Sequence, residues 1–294
     1  MSLARFDRSI SLYLLGPVYR AGWRRRGSYL PILMYHSVSS DLEEEVVPYY
    51  RLNTSPNRFA EQMQWLSDLG YAGLALEDAL PMVVSGKMNG PRPVAITFDD
   101  GLRDFHLSAW PILRQHGFTA TVYLPTGFVS RKRRLFRGKE CLTWDEVREL
   151  RRDGMRFGSH TVNHPKLYGM SWNEIESETT ISKEHIQQEL QEEVTSFAYP
   201  YAFPQEDRRF AQRFTDLLRK TGFRYCATTV IGRAQASDDP FLLKRLPANS
   251  SDDKALFVGK LDGAYDWLGL VQRLFRLFKR GRSRVVPGAI DHLN

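Results

Sequence analysis

Short apolar runs alternate with amphipathic stretches along most of this chain. Runs rich in apolar and β-branched residues predict strands at residues 30–35, 74–76, 94–98, 120–124, 155–159, 196–199 and 225–229. Between them, apolar residues recur at helical spacing and predict helices at residues 56–69, 77–85, 104–116, 144–152, 172–193 and 206–221. Thr143 with Glu146, and Ser171 with Glu174, have the spacing of capping boxes and mark two helix starts. This alternation predicts a parallel sheet whose strands are joined by crossover helices.

Polar side chains follow several of the predicted strands, at the points where those strands end. They are His36, the pair Asp99 and Asp100, His160 and Tyr201. In a β/α barrel the catalytic groups gather at the carboxyl-terminal rim of the strands. An open doubly wound sheet also binds ligands at its strand ends, but it usually has a glycine-rich phosphate loop. No Gly-x-Gly-x-x-Gly sequence occurs here, so the pattern favours a barrel.

The net charge of +7 is concentrated in three basic clusters. Four arginines lie within residues 20–26, six of the nine residues at 131–139 are basic, and six basic residues lie within 273–284. Such clusters suit an anionic surface or a polyanionic substrate, and a solvated basic surface is the plain alternative. No RRM, KH or zinc-finger sequence accompanies them, so we expect no nucleic-acid partner. The two cysteines lack CxxC spacing and are expected to be packing residues.

The two ends of the chain are predicted to be arms outside the main domain. No run reaches the roughly 18 apolar residues of a membrane-spanning helix. Residues 10–18 are apolar but contain Gly16 and Pro17 and precede no small-residue cleavage site, so we interpret them as an arm and expect a cytoplasmic protein. Residues 267–278 form an apolar helical stretch that leads into basic residues. This pattern is typical of a helix that lies on an anionic membrane, here the inner membrane face, and packing onto the barrel is the alternative.

Two short sequences indicate the chemistry. Thr-Phe-Asp-Asp-Gly places adjacent carboxylates, Asp99 and Asp100, at the end of one strand, and Ser-His-Thr-Val-Asn-His-Pro places His160 and His164 at the end of another. One carboxylate and two imidazoles provide three metal ligands and leave a position for water, as in a catalytic zinc site. The other carboxylate is then available as a general base. Because neighbouring strand residues point to opposite faces, both carboxylates can line one site only if the chain turns at Gly101.

These sequences, together with Phe-Ala-Tyr-Pro-Tyr at residues 197–201, resemble the motifs of polysaccharide deacetylases with NodB homology, carbohydrate esterase family 4. The resemblance extends over residues 30–248. It implies a distorted (β/α)7-type barrel as a single catalytic domain. It also implies one divalent metal ion, commonly Zn²⁺, and hydrolytic removal of N-acetyl groups from the amino sugars of a poly- or oligosaccharide. The predicted domains are a basic arm at residues 1–28, a deacetylase domain at 29–250 and a basic amphipathic tail at 251–294.

The resemblance also implies a role for each residue of the site. Asp99 corresponds to the general base, and Asp100, His160 and His164 correspond to the metal ligands. The backbone amide near Tyr201 corresponds to an oxyanion donor.

The sequence departs from the family pattern at two places. The third motif usually begins with an arginine that orients the catalytic aspartate, and Ala198 occupies that position. The late Leu-x-His sequence, whose histidine protonates the leaving amine, is absent. An early Met-Tyr-His sequence ends at His36 and is similar to the poly-N-acetylglucosamine deacetylase branch, in which the strand order is permuted. The resemblance therefore implies that His36 is the general acid, and a structural histidine bonded to a rim carboxylate is the alternative.

The remaining expectations concern the substrate. Tyr201, Pro200 and Trp144 are predicted to bind it, with Tyr201 and Trp144 stacking on a sugar ring, although a buried packing role is the alternative for Trp144. If the protein is cytoplasmic, a lipid-linked glycan or a nascent surface polysaccharide is the expected substrate. Two alternatives stay open: a catalytically silent glycan-binding relative, and a hydrolase of a different acyl or amide substrate.

Overall fold

The computed structural model describes residues 6–15, 29–41, 43, 46–47, 51–86 and 90–283. Its centre is a sheet of eight parallel strands: β1 (Ile32–Tyr35), β2 (Tyr71–Leu74), β3 (Arg92–Phe98), β4 (Thr121–Leu124), β5 (Arg156–Ser159), β6 (Ser196–Ala198), β7 (Tyr225–Ile231) and β8 (Leu243–Pro247). Strand β1 pairs with both β8 and β3, which closes seven strands into a barrel in the order β1-β3-β4-β5-β6-β7-β8. Strand β2 pairs with the first half of β3 as an additional strand. The predicted (β/α)7-type barrel is confirmed.

Helices follow most of the strands and cover the outside of the barrel. They are α1 (Phe6–Ser9), α2 (Pro56–Asp68), α3 (Leu76–Ser85), α4 (Trp110–Gln115), α5 (Trp144–Arg152), α6 (Trp172–Leu190), α7 (Arg208–Lys220), α8 (Lys254–Asp262) and α9 (Trp267–Ser283). Both predicted capping boxes are present, at the starts of α5 and α6. The helix predicted at residues 104–116 is instead a π-helical segment, Phe105–Ala109, followed by α4. Pro111 has no N–H for the carbonyl four residues before it, which removes one α-helical hydrogen bond where the π-helical segment ends and α4 begins.

The two faces of the strands contact separate apolar cores. One cluster lines the barrel interior and includes Ile32, Ala95, Tyr123, Ala198, Ala227 and Leu243. Residues one or three positions away on the same strands point outward into the larger cluster beneath the helices, which includes Leu33, Ile96, Val122, Phe197, Cys226 and Leu246. This alternation follows the two-residue period of a strand. It therefore determines which polar side chains point into the barrel where the strands end.

Two small pairs of strands follow β1 and β4 and lie next to each other. Ser37–Val38 pairs with Asn53–Thr54, and Leu135–Phe136 pairs with Lys139–Glu140 in a hairpin. The ammonium group of Lys139 joins them, because it donates to Ser37 Oγ at 2.7 Å and to Asp41 Oδ2 at 2.7 Å. The hairpin contains part of the basic cluster at residues 131–139 and is thereby held against the segment that follows His36.

The described parts of the two chain ends pack against each other. The hydroxyl of Tyr265 donates to Asp7 Oδ2 at 2.6 Å, and the indole of Trp267 donates to Ser11 Oγ at 3.0 Å. The domain boundaries after residues 28 and 250 stay predictions. The arginine cluster at residues 20–26 and the chain after residue 283 lie outside the described residues. Within the described part, no helix combines the length and the apolar character needed to cross a membrane.

Candidate active site

The three side chains predicted as metal ligands lie together at the carboxyl end of the barrel. Asp100 follows β3, and His160 and His164 follow β5. The Oδ1 atom of Asp100 lies 3.6 Å from Nε2 of His160 and 3.3 Å from Nε2 of His164. All three side chains are buried, and they offer ligand atoms within 4.8 Å of one another. The geometry therefore brings together one carboxylate and two imidazoles, as the sequence predicts.

The hydrogen bonds around this cluster leave donor atoms free for a cation. Nδ1 of His160 bonds the carbonyl of Ala198 at 2.8 Å, which places the proton on Nδ1 and leaves the lone pair of Nε2 available. Oδ1 of Asp100 is buried without a hydrogen-bond partner in the described structure. Burial raises the pKa of Asp100 to about 6 and lowers the pKa of His164 to about 2. An uncompensated carboxylate beside two neutral imidazoles fits a divalent metal ion.

The backbone of the site adopts conformations that are uncommon for residues with side chains. Among the described residues, six other than glycine have positive φ, and five of them lie at this rim: Asp100, Arg137, Thr161, His164 and Tyr201. Asp100 has a φ of 70° and Gly101 has a φ of 57°. The chain therefore turns at Asp100 as well as at Gly101, and Asp99 and Asp100 line one site despite being adjacent. Backbone strain of this kind is found where a site requires it.

Asp99 forms a buried, bidentate ion pair with Arg245 of β8. The guanidinium donates to the two carboxylate oxygens at 2.6 and 2.8 Å, and its Nε donates to the carbonyl of Thr228 at 2.9 Å. The side chain of Arg245 is fully buried. Burial alone would raise the pKa of Asp99, but the charge and hydrogen bonds of Arg245 hold it below its ordinary value. Asp99 is thus an oriented, ionised carboxylate beside the three-residue cluster.

His36 follows β1 and lies beside Asp99. Its Nε2 atom is 3.9 Å from Oδ2 of Asp99, which is longer than a hydrogen bond, and 16% of its side chain is exposed. Burial lowers the pKa of His36, and the negative charge of Asp99 opposes that effect. Strand β1 thus brings a partly accessible imidazole to the rim, at the place expected from the sequence.

Comparisons with known proteins identify the family. The family model described as polysaccharide deacetylase matches residues 86–226. A Bacillus subtilis protein whose name describes it as a putative polysaccharide deacetylase, YxkH, is 30% identical over 217 residues, covering 74% of this chain and 70% of the relative. The chain belongs to the polysaccharide deacetylase family. The prediction made from its motifs is confirmed at this level.

Two further proteins similar to this chain are informative. A poly-β-1,6-N-acetyl-D-glucosamine N-deacetylase of Staphylococcus aureus is 25% identical over 210 residues, covering 68% of this chain and 67% of the relative. The solved structure of the Streptococcus pyogenes deacetylase PplD in complex with acetate superposes with a TM-score of 0.69 at 26% identity. The superposition covers 80% of this chain and 98% of that structure.

The mouth of the candidate site is formed by an aromatic ring between cationic side chains. The ring of Tyr201 lies 4.8 Å from the ring of His164, measured between centroids, and 38% of Tyr201 is exposed. The guanidinium of Arg137 lies 5.1 Å from the centroid of Tyr201 and donates to its hydroxyl, and Nζ of Lys166 lies 5.6 Å from the same centroid. Tyr201 is therefore an accessible platform beside the predicted metal ligands, while its role as a sugar-binding residue stays a prediction.

The other two predicted substrate-binding residues are less accessible. Pro200 is buried in the chain segment that follows β6. Trp144 is only 6% exposed and belongs to the main apolar cluster beneath the helices. A ring buried in this way offers no free face to a sugar, so the packing interpretation replaces the stacking role for Trp144. Both cysteines are buried and unpaired, consistent with packing.

Two residues of this site, Arg245 and Arg137, are not apparent from local sequence patterns. Arg245 lies in Leu-Leu-Lys-Arg-Leu-Pro, a run that resembles a charged segment and is not among the predicted strands. The alternation of Leu243 and Arg245 on one face, with Leu246 on the other, is the signal that could have found it. In the sequence, Arg137 is visible only as part of a basic cluster, because nothing local indicates that the hairpin extends to Tyr201.

Proposed function

We propose that this protein is a metal-dependent hydrolase that removes N-acetyl groups from the amino sugars of a poly- or oligosaccharide. The observation that supports it most strongly is the placement of Asp100, His160 and His164 beside the ion-paired Asp99, with His36 at the same rim. The Staphylococcus aureus relative named as an N-deacetylase of poly-β-1,6-N-acetyl-D-glucosamine supports an N-acetylated glycan as the substrate class.

In this proposal each side chain meets one charge that develops during hydrolysis of the acetamide. Asp100, His160 and His164 would hold the metal ion, Zn²⁺ being the expected one, which when bound supplies Lewis acidity and a nucleophilic water near neutral pH. Asp99 accepts the proton of the attacking water on a carboxylate oxygen, and Arg245 keeps that carboxylate ionised and in a single orientation. His36 donates a proton from Nε2 to the departing sugar nitrogen.

Substrate positioning involves the segment after β6. The ring of Tyr201 is proposed to stack on a sugar, and the backbone N–H near Tyr201 is proposed to donate to the oxyanion of the tetrahedral intermediate. The alternative of a catalytically silent glycan-binding relative rests on Ala198 and on the missing late histidine. Arg245 is close enough to Asp99 to orient it, and His36 is at the same rim and could protonate the leaving amine. These two contacts favour an active enzyme.

The test is release of acetate from N-acetylated glycans, including β-1,6- and β-1,4-linked N-acetylglucosamine oligomers. We expect release by the purified full chain, loss of release after chelation, and recovery on addition of Zn²⁺. The matched control is Asp99→Asn, which preserves the shape of the side chain while removing the base. Glycan binding without acetate release in the metal-loaded protein would support the silent relative. Undiminished release by Asp99→Asn would contradict the proposed mechanism.

A further inference from the structure

The last described helix, α9, has two different faces. One face packs on the barrel: Gln272 Oε1 accepts from the N–H of Ile231 at 3.0 Å, Arg276 donates to the carbonyl of Phe203, and Leu268 is only 7% exposed. Residues 268, 272 and 276 recur every four positions and therefore lie along one side of the helix. The packing of α9 onto the barrel, one of two alternatives expected from the sequence, is thus observed for this side.

The other side of α9 presents apolar side chains to solvent. Leu270, Val271, Leu274 and Leu277 are exposed by 65%, 43%, 55% and 46%, respectively. The last three follow Leu270 by one, four and seven residues, which is the spacing of a single helix stripe. We refer to these four residues as the outer stripe. Solvent exposure of four clustered aliphatic side chains on a structured helix is unfavourable and indicates a surface that is covered by a partner.

The amino-terminal segment extends this apolar surface. Tyr13 and Leu14 are 70% and 66% exposed, and they belong to the π-helical segment Ile10–Leu15. That segment lies beside the start of α9, because the indole of Trp267 donates to Ser11 Oγ at 3.0 Å. Two separate parts of the chain therefore place exposed apolar side chains near the start of α9.

The charges along α9 indicate the partner of the outer stripe. Arg273 is exposed and lies between members of the stripe in sequence, and the last residues of the helix include Lys279, Arg280 and Arg282. The segment 267–283 contains no acidic residue. An apolar stripe accompanied only by positive charge matches a membrane surface, in which acyl chains lie beneath anionic headgroups. We propose that the outer stripe, with Tyr13 and Leu14, docks on an anionic lipid surface.

Docking through this surface would place the candidate active site near the membrane. Gln205 Nε2 donates to the carbonyl of Gly269 in α9 at 3.5 Å, and Arg276 donates to Phe203. Both partners lie in the segment that begins with Tyr201, whose carbonyl accepts from Thr229 Oγ1 at 2.9 Å. The helix that docks is therefore bonded to the segment that forms the mouth. Resting on the proposed function, this geometry favours an N-acetylated glycan held at the membrane, such as one linked to a lipid.

The test is co-flotation of the full chain with lipid vesicles. We expect binding to vesicles of phosphatidylcholine mixed with phosphatidylglycerol, weaker binding to phosphatidylcholine alone, and a decrease with added salt. Leu270→Glu and Leu274→Glu should each weaken binding by about tenfold or more, because a charge replaces a side chain that enters the lipid. Val84→Glu is the matched control, since Val84 is a helical side chain that is 58% exposed outside this surface. It should bind as the unmodified chain does.

Vesicle binding does not depend on catalysis. The chain could therefore fail to bind vesicles and still release acetate, or bind vesicles and release none, so the two proposals are tested separately. Acetate release from a soluble oligosaccharide should be unchanged in Leu270→Glu and Leu274→Glu. Absence of binding by the unmodified chain, or equal binding by the stripe variants and Val84→Glu, would overturn the proposal. A dimer in solution that Leu274→Glu dissociates, with no vesicle binding, would assign the stripe to a second copy of the chain and would also overturn it.

Discussion

Arg245→Met tests the buried ion pair that orients the proposed base. Both charged groups lie in the barrel interior, joined by bonds of 2.6 and 2.8 Å, and the arginine side chain is 0% exposed. Methionine is shorter and uncharged, so it leaves the Asp99 carboxylate buried without its counter-charge. Breaking a buried pair in this way costs about 3–5 kcal/mol of folding free energy. We expect that loss in urea denaturation of metal-free protein, in which no cation compensates Asp99.

The matched variants are Asp99→Asn and the double variant that combines Arg245→Met with Asp99→Asn. Asp99→Asn alone leaves the guanidinium buried without its partner, so it should also destabilise the metal-free protein. In the double variant neither charge remains, and the loss should be smaller than the sum of the single losses by about 2 kcal/mol or more. Should Arg245→Met fail to fold, recovery of folding in the double variant gives the same information.

Activity provides a second measurement on the same pair. Arg245→Lys retains the charge but not the planar fork that contacts both oxygens, so acetate release should fall while much of the stability remains. The double variant could instead lose as much folding free energy as the two single variants together. That result would refute the reasoning, because it would show that the charges of Arg245 and Asp99 do not stabilise each other. Full activity in Arg245→Lys would refute the requirement for a bidentate contact.

The remaining predictions concern the metal ligands, the base and the acid. His160→Ala and His164→Ala should each strongly reduce metal content by elemental analysis, since each removes one of three ligands; full stoichiometry in both would exclude the site. Asp99→Asn should keep the metal and lower turnover by about 10²-fold or more; loss of metal there, with retention in Asp100→Asn, would exchange the two roles. His36→Ala should lower turnover with metal content and fold intact. Since burial lowers the pKa of His36 and the acid form is lost as pH rises through that pKa, the basic limb of the pH–rate profile should lie below the pH at which an exposed histidine titrates. An unchanged limb in His36→Ala would place the acid elsewhere.

The barrel and the cluster at its rim were predictable because they depend on short-range patterns. Strand runs, helix caps and the two histidines four residues apart are each visible within a few residues. On β3 every second side chain points into the barrel, and this alternation continues to Asp99 just after the strand. The turn that follows brings Asp100 into the same site. Parallel strands then place their carboxyl ends on one rim, so residues distant in sequence become neighbours without further information.

Contacts across the barrel were not predictable, because they depend on its closure. Lys244 and Arg245 make β8 resemble an exposed segment, and only its pairing with β7 and β1 shows that Arg245 points inward. The hairpin at residues 135–140 presents a similar difficulty. Its sequence indicates a basic surface, whereas its bonds through Lys139 to Ser37 and through Arg137 to Tyr201 hold it at the mouth.

Closure of the barrel also brings a buried arginine to Asp99 although position 198 holds an alanine. The interior near the rim contains Ala198 and Ala227, whose small side chains leave room for a long side chain from another strand. Arg245 points into this interior, and the carbonyl of Thr228 accepts from its Nε, so that the guanidinium faces Asp99. Ala198 still contributes through its backbone, because its carbonyl orients His160 whatever the side chain is. A guanidinium can orient this carboxylate from any strand that holds it at the right distance inside the barrel, so the arginine is not restricted to one position in the sequence.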